Sequence, residues 1–206
     1  MKRIEIHPVN PQPRLIHQVA GQFQKGALVA LPTDASYVLA CHLEDRDAVG
    51  RMRQVRGIDE RHLLTLLCRD LSELSQYAQV DNRQFRFLKE WTPGAYTFIL
   101  PATREVPRRL MHPSRKTLGL RVPDSPIVLA LLGELGVPLL CASLILPEDE
   151  HPLADPDDIE ARIGKRIDLL VDGGAGHLEP TSVIDVTGDE PLIQRVGLGP
   201  VEAMLR

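Results

Sequence analysis

The sequence predicts one α/β domain, and three observations predict it. Short apolar runs of strand length alternate with amphipathic helical stretches from one end of the chain to the other. The 206 residues contain no internal repeat, low-complexity tract or linker, and that length suits one sizeable core better than two. With 43% hydrophobic and 25% charged residues the composition is that of a globular chain, not a disordered one.

The elements follow in order. Residues 3–7 alternate with period two and read as a strand. Residues 11–25 place Leu15, Ile16, Val19, Ala20 and Phe23 on one helical face, and Gly26 closes that helix before a buried strand at 27–31. Residues 45–55 read as a helix with Ala48, Val49, Met52 and Val55 inward and the arginines outward, and LLTLL (63–67) as a strand. A helix at 81–91 packs Phe85, Leu88 and Trp91, and after the Pro93-Gly94 turn a strand runs over 97–100. Strand 117–122 precedes a helix at 126–135 that is apolar almost all round and therefore reads as the buried central helix. Residues 138–146 return to the sheet. Asp155 reads as an N-cap with Pro156 at the first helical position of a helix ending near Gly164. Strands near 168–171, 182–186 and 192–195 complete the domain, which spans residues 1–206.

Several function classes are disfavoured. The opening MKRIEIHPVN lacks the apolar core of a signal peptide and no apolar run reaches membrane-spanning length, so a soluble, cytoplasmic protein is expected. Cys41, Cys68 and Cys141 are widely spaced within apolar runs and read as buried reduced thiols. The seven histidines show no ligand spacing, so no metal site is expected. Only 8 residues are aromatic, which argues against nucleic-acid binding by rows of stacked rings. No Gly-x-x-x-x-Gly-Lys loop occurs, and DGGAG (172–176) has a turn's spacing, not a dinucleotide fingerprint's.

Charge is segregated despite a net −4. Residues 148–160 carry seven acids and no Lys or Arg, whereas 104–121 carry Arg104, Arg108, Arg109, Arg115, Lys116 and Arg121 against Glu105 alone. Residues 46–69 add six further arginines, partly offset by acids. Such a chain can present a cationic face to a phosphate-bearing ligand, although surface arginines also serve solubility alone. Polar residues stand at strand ends: Thr33, Asp34, Ser36 and Tyr37 in PTDASY, then Thr97, Arg121, Ser143, Thr181, Ser182 and Arg195. In open α/β sheets ligands gather where such ends meet. Thr33, Asp34, Thr181 and Ser182 also suit turn capping, and the buried Arg121 needs an anion that is either a structural carboxylate or a ligand.

Taken in order, these segments resemble the YrdC/YciO family of threonylcarbamoyl-AMP synthases, over about residues 10–199. PTDASYVLA is similar to the family's Pro-Thr-Asp/Glu-Thr-x-Tyr-Gly-Leu segment, PGAYT to Pro-Gly-Pro-x-Thr, and LRVP to Val/Leu-Arg-x-Pro. PLLCASLIL, PTSVID and RVG fall where the family has Pro-Leu-x-Ser-Thr-Ser-Ala-Asn, Pro-Ser-Thr-Ile-Val-Asp and Arg-x-Gly. The resemblance implies a twisted, open mixed sheet flanked by helices with a large concave basic face. It implies Thr33, Tyr37, Arg56, Arg121, Ser143, Ser182 and Arg195 as substrate- or nucleotide-binding residues, and no tightly bound cofactor. The family's synthases are nucleotidyltransferases that join threonine, bicarbonate and ATP, with magnesium, into threonylcarbamoyl-AMP for tRNA modification.

The departures favour the YciO-like branch. The synthases' Lys-x-Arg pair and following Lys become Arg56, Ile58 and His62, and their Ser-x-Asn becomes Ser143, Leu144 and Ile145. Loss of one transition-state donor costs on the order of 10²–10³ in rate, so little synthase activity is expected unless Arg53 or Arg61 substitutes. RNA, as tRNA or a double strand, is the expected partner alongside or instead of a nucleotide, with Arg53, Arg108, Arg109, Arg115 and Lys116 on its phosphates. An active synthase, or an enzyme acting on threonylcarbamoylated RNA with His62 as base, are the alternatives.

Overall fold

In the computed structural model, which describes residues 1–205, ten strands form one mixed sheet. Its strands are β1 (Lys2–Glu5), β2 (Val29–Leu31), β3 (Val38–His42), β4 (Thr65–Leu67), β5 (Tyr96–Pro101), β6 (Thr117–Arg121), β7 (Leu139–Ser143), β8 (Leu169–Asp172), β9 (Ser182–Asp185) and β10 (Leu192–Arg195). They lie in the order β1-β8-β2-β3-β7-β4-β6-β5-β9-β10. The pairs β1–β8, β2–β8, β4–β6 and β5–β9 are parallel, and the remaining neighbours are antiparallel.

The helices are α1 (Pro13–Gln24), α2 (Arg46–Arg56), α3 (Leu71–Tyr77), α4 (Asn82–Trp91), α5 (Pro126–Leu135) and α6 (Pro156–Ile163). Their ends follow local chemistry. Asp45, Asp70, Asp81, Ser125 and Asp155 each accept a backbone N–H of the first turn, and Gly57 and Gly136 close α2 and α5 in the left-handed conformation.

Because side chains alternate along a strand, the sheet buries two different layers. On one face Leu39, Leu66, Phe98, Leu118, Leu120, Leu140, Leu170 and Ile184 pack against Val49 and Met52 of α2, Leu74 of α3, Leu88 of α4 and Ile159 of α6. On the other, Val29, Leu31, Val38, Leu67, Cys141 and Leu169 pack under Val19 and Phe23 of α1 and Val128 and Leu131 of α5. This second layer contains no residue of β5, β6, β9 or β10. There the sheet face is left open, and that opening positions the site.

The structure differs from the sequence reading in four places. Strand β3 was not expected, because the apolar run 38–41 continues directly from a polar loop without alternation. Helix α3 is short, although Asp70, which accepts from Glu73 N at 2.8 Å, is a legible cap. Phe85 is 40% exposed, and Phe87 packs on the core in its place, edge-on to Phe98. Finally, α5 is not central: Ile127, Val128, Leu131 and Leu132 are buried while Gly133 and Glu134 are exposed. The three cysteines are free and buried, and burial pushes the Cys41 and Cys141 thiols up to about 12. No helix among the described residues is long and apolar enough to cross a membrane, and no cluster of three or more His, Cys, Asp or Glu is placed to hold a metal ion.

Candidate anion-binding cavity

The open part of the sheet face is the floor of a cavity of about 340 Å³. Thr65 of β4, Gly119 of β6, Thr97 and Ile99 of β5 and Val183 of β9 form this floor. Register explains the set: Thr65 pairs with Gly119, Gly119 with Ile99, and Thr97 with Val183. Gly119 is required here, since a Cβ would lie 2.7 Å from Thr65 Oγ1 and 3.0 Å from Thr97 Cγ2. Thr97 and Thr181 share a hydrogen bond of 2.7 Å between their hydroxyls.

The walls are cationic. Gly57 turns the chain out of α2, so that Arg56, its last residue, and the 58–64 loop bring Arg56, Arg61 and His62 to one side. Arg195 of β10 closes the other side, and Ser143, the last residue of β7, joins the wall with Ile145 beyond it. Among the described residues, no carboxylate lines this cavity.

Arg56 lies one residue beyond the helix expected over 45–55 and is 8% exposed. It donates through Nη1 to the Ile145 carbonyl, while its Nε has no partner. Burial first, and Arg195 second, lower its pKa. Arg195 grips the Thr181 carbonyl through Nε and Nη2 at 3.2 and 2.8 Å, and desolvation lowers its pKa although much of the residue stays open to solvent. His62 is held below its ordinary value by desolvation and then by Arg56, Arg53 and Arg195. The cluster is a self-repelling set of cations, and an anion placed among them would relieve that repulsion.

Of the residues expected to bind substrate, Arg56, Ser143 and Arg195 line this cavity, and Thr33, Tyr37, Arg121 and Ser182 do not. Tyr37 is fully buried, donating to Gly174 O at 2.7 Å and accepting from Gly173 N, so it pins the glycine turn; burial pushes its pKa up to about 12. Ser182 is also fully buried, bonded to Gly199 O and Gly197 N. Thr33 caps its own turn, donating to Ser36 O and accepting from Ala35 N. Arg121, 3% exposed, is paired with Asp34 and donates to Thr33 Oγ1 at 3.2 Å, so its anion is a structural carboxylate.

The residues expected to bind RNA are also divided. Arg53 is bonded to the Asp59 carbonyl, and Arg109 is drawn onto the carbonyls of Leu43 and Glu44 at 3.2 and 3.1 Å. Arg108 and Lys116 line, with Arg104, an open depression of about 630 Å³, and Arg115 is exposed. The sequence reading overlooked Thr65 and Gly119 as floor residues. Only the strand register brings them beside Thr97, and neither carries a charge that would single it out.

A family model named for Sua5, YciO and YrdC, and described as "Telomere recombination", matches residues 22–197. The chain is 50% identical over 200 residues to the YciO protein of Escherichia coli K12, covering 97% of each. The crystal structure of E. coli YciO superposes with a TM-score of 0.96 at 48% identity, covering 99% of this chain and all of that one. A threonylcarbamoyl-AMP synthase of Halorhodospira halophila is 32% identical over 180 residues, covering 86% of this chain and 93% of that protein. Pyrococcus abyssi Sua5, crystallised with L-threonine, superposes with a TM-score of 0.89 at 25% identity, over 99% of this chain and 60% of Sua5.

Proposed function

Because this chain belongs to the Sua5/YciO/YrdC family, we propose that its arginine-lined cavity binds a phosphate-bearing ligand, a nucleotide in the first instance. One observation carries this reading: Arg56, Arg61, His62 and Arg195 converge on one hollow without a carboxylate. A guanidinium with an unpaired buried N–H is costly until an acceptor arrives, and phosphate oxygens match its geometry. A volume of about 340 Å³ is that of a small-molecule site.

Calorimetric titration with ATP and AMP tests this. Wild type binds, and Arg61→Ala and Arg195→Ala each bind about tenfold or more weakly, the ordinary worth of a hydrogen bond to a charged group. Arg61 makes no side-chain bond that the fold needs, so its variant separates binding from folding. Absence of binding by wild type, or unchanged affinity in both variants, ends the proposal.

The reading does not extend to efficient synthesis of threonylcarbamoyl-AMP. Ile58, at the position of the family's arginine, packs against the core, and the lining residue Ile145 carries no amide where the resemblance has an asparagine. An assay with threonine, bicarbonate, ATP and magnesium is expected to give little product. Formation at a rate equal to that of a family synthase would contradict it.

A second reading, RNA binding, has its own support. Arg104, Arg108, Arg115 and Lys116 make no ion pair among the described residues, whereas Arg3, Arg51 and Arg162 elsewhere on the surface do. An unpaired cationic loop suits phosphate-backbone contacts with tRNA or a double strand, read by charge and not by base.

A further inference from the structure

We infer that the connection between β5 and β6, residues 102–116, carries a second phosphate-binding site, separate from the cavity and built on the other layer of the sheet. The phosphates have two sources, a free polyphosphate or the backbone of an RNA. Only the second source rests on the RNA reading above.

The place of this site follows from strand parity. Thr97 and Ile99 of β5 face the cavity, so Phe98, Leu100 and Ala102 face the helix-covered layer. Ala102, Val106 and Met111 of that layer supply the apolar part of the depression of about 630 Å³. No residue lines both hollows, so a ligand in one leaves the lining of the other untouched.

A bonded frame holds the depression. The Thr103 N–H donates to the Tyr77 carbonyl and the Gln79 N–H to the Pro101 carbonyl, at 3.0 and 2.8 Å, which ties the loop to the end of α3. Leu110 is buried and Arg109 is held by the Leu43 and Glu44 carbonyls, which fixes the single 3-10 turn Arg108–Leu110. His112 organises the return: its Nδ1 accepts the Ser114 and Arg115 N–H, and its carbonyl accepts the Lys116 N–H. In that turn Lys116 has a φ of 55°, a left-handed conformation that suits glycine or asparagine and carries a steric cost for lysine. Strain kept at a charged residue beside a hollow points to a position held for its side chain.

The lining then selects for anions. Arg104, Arg108 and Lys116 contribute to it and no Asp or Glu among the described residues does; Glu105 belongs to the loop but not to the lining. Arg104 and Arg108 are exposed and enter no ion pair among the described residues, unlike Arg3, Arg51 and Arg162. The neutral donors are already engaged, Thr103 Oγ1 to Gln76 O at 2.6 Å and Gln79 Nε2 to Ala102 O at 3.1 Å. Lys116 Nζ gives one N–H to Pro113 O at 2.6 Å and keeps two. Two guanidinium forks and an ammonium fit linked phosphates, whose oxygens a fork can take in pairs.

Isothermal titration of the full chain with inorganic tripolyphosphate and, separately, with a short RNA duplex tests the inference. Wild type is expected to take two tripolyphosphates per chain, and Arg104→Gln/Arg108→Gln/Lys116→Gln only one. The same triple variant should bind the duplex about tenfold or more weakly, since one hydrogen bond to a charged group is ordinarily worth about tenfold. Either loss supports the site, and the ligand that is lost names its source. A triple variant that loses a tripolyphosphate while wild type ignores the duplex ends the RNA reading and leaves the site standing. Lys116→Gly separates binding from folding: it relieves the left-handed backbone, so its thermal midpoint should equal or exceed that of wild type while binding weakens. Unchanged stoichiometry together with unchanged duplex affinity in the triple variant overturns the inference, as does a wild type that binds neither ligand.

Discussion

Arg121 of β6 and Asp34 of the β2–β3 loop are ion-paired although β3, β7 and β4 lie between their strands in the sheet. Asp34 also accepts the Asp124 backbone N–H at 3.0 Å, so one carboxylate ties the β2–β3 loop to β6 and to the entrance of α5. The pair is a strut across the curved face.

Breaking this strut is expected to be expensive. Asp34→Ala leaves a guanidinium that is 3% exposed with no counter-charge, and its Nε is already unpaired. Loss of one partner from a buried pair costs about 3–5 kcal/mol. Urea unfolding should show that loss, with partial recovery in the Asp34→Ala/Arg121→Met double variant. A single variant as stable as wild type would deny the strut any structural role.

His62 gives the cavity a pH dependence. Its folded pKa lies below the ordinary value of about 6.5, so above that pH both folded and unfolded forms are neutral and nothing changes. As pH falls below about 6.5 the unfolded chain takes up the proton first, and stability declines. A bound anion reverses the local sign by favouring the imidazolium. Affinity for tripolyphosphate should thus rise as pH falls from 7.5 to 5.5, more in wild type than in His62→Gln. Parallel pH profiles would separate His62 from the ligand.

Salt dependence distinguishes the cationic loop from the cavity. If RNA docks on the loop, Arg108→Ala and Lys116→Ala should each reduce the slope of log affinity against log salt by about 1. Binding that stays constant between 50 and 200 mM salt excludes backbone docking.

Gly119→Ala probes the floor. The new Cβ would crowd Thr65, Thr97 and, at 3.3 Å, the Leu64 carbonyl, for which overpacking predicts a loss of about 1–3 kcal/mol. Nucleotide affinity should fall with it. A variant of undiminished stability and affinity would mean that the floor has room to spare.

Much of this was legible beforehand, for reasons that differ by residue. Helix α1 could be read from Ile16, Val19 and Phe23, because burial of one helical face imposes its period on the sequence. Arg56 and Arg195 could be read because the family pattern places them, and Ser143 because a hydroxyl among aliphatics stands out. Tyr37 and Ser182 were misplaced for the converse reason. A motif preserves residues that hold loops in place as strictly as those that touch ligand, and only the bonds to Gly174 and Gly199 tell the two apart. Arg121 posed a true ambiguity between ligand and carboxylate, and Asp34, three residues beyond the end of β2, resolves it.

The floor draws on Thr65, Thr97, Gly119 and Val183, positions scattered over more than half the chain and woven together by cross-strand register. The lining runs from Arg56 to Arg195, so any deletion that reaches into that span removes part of the pocket. Mapping by truncation would mislead in this molecule; single side-chain replacements on an intact sheet are the resolving instrument.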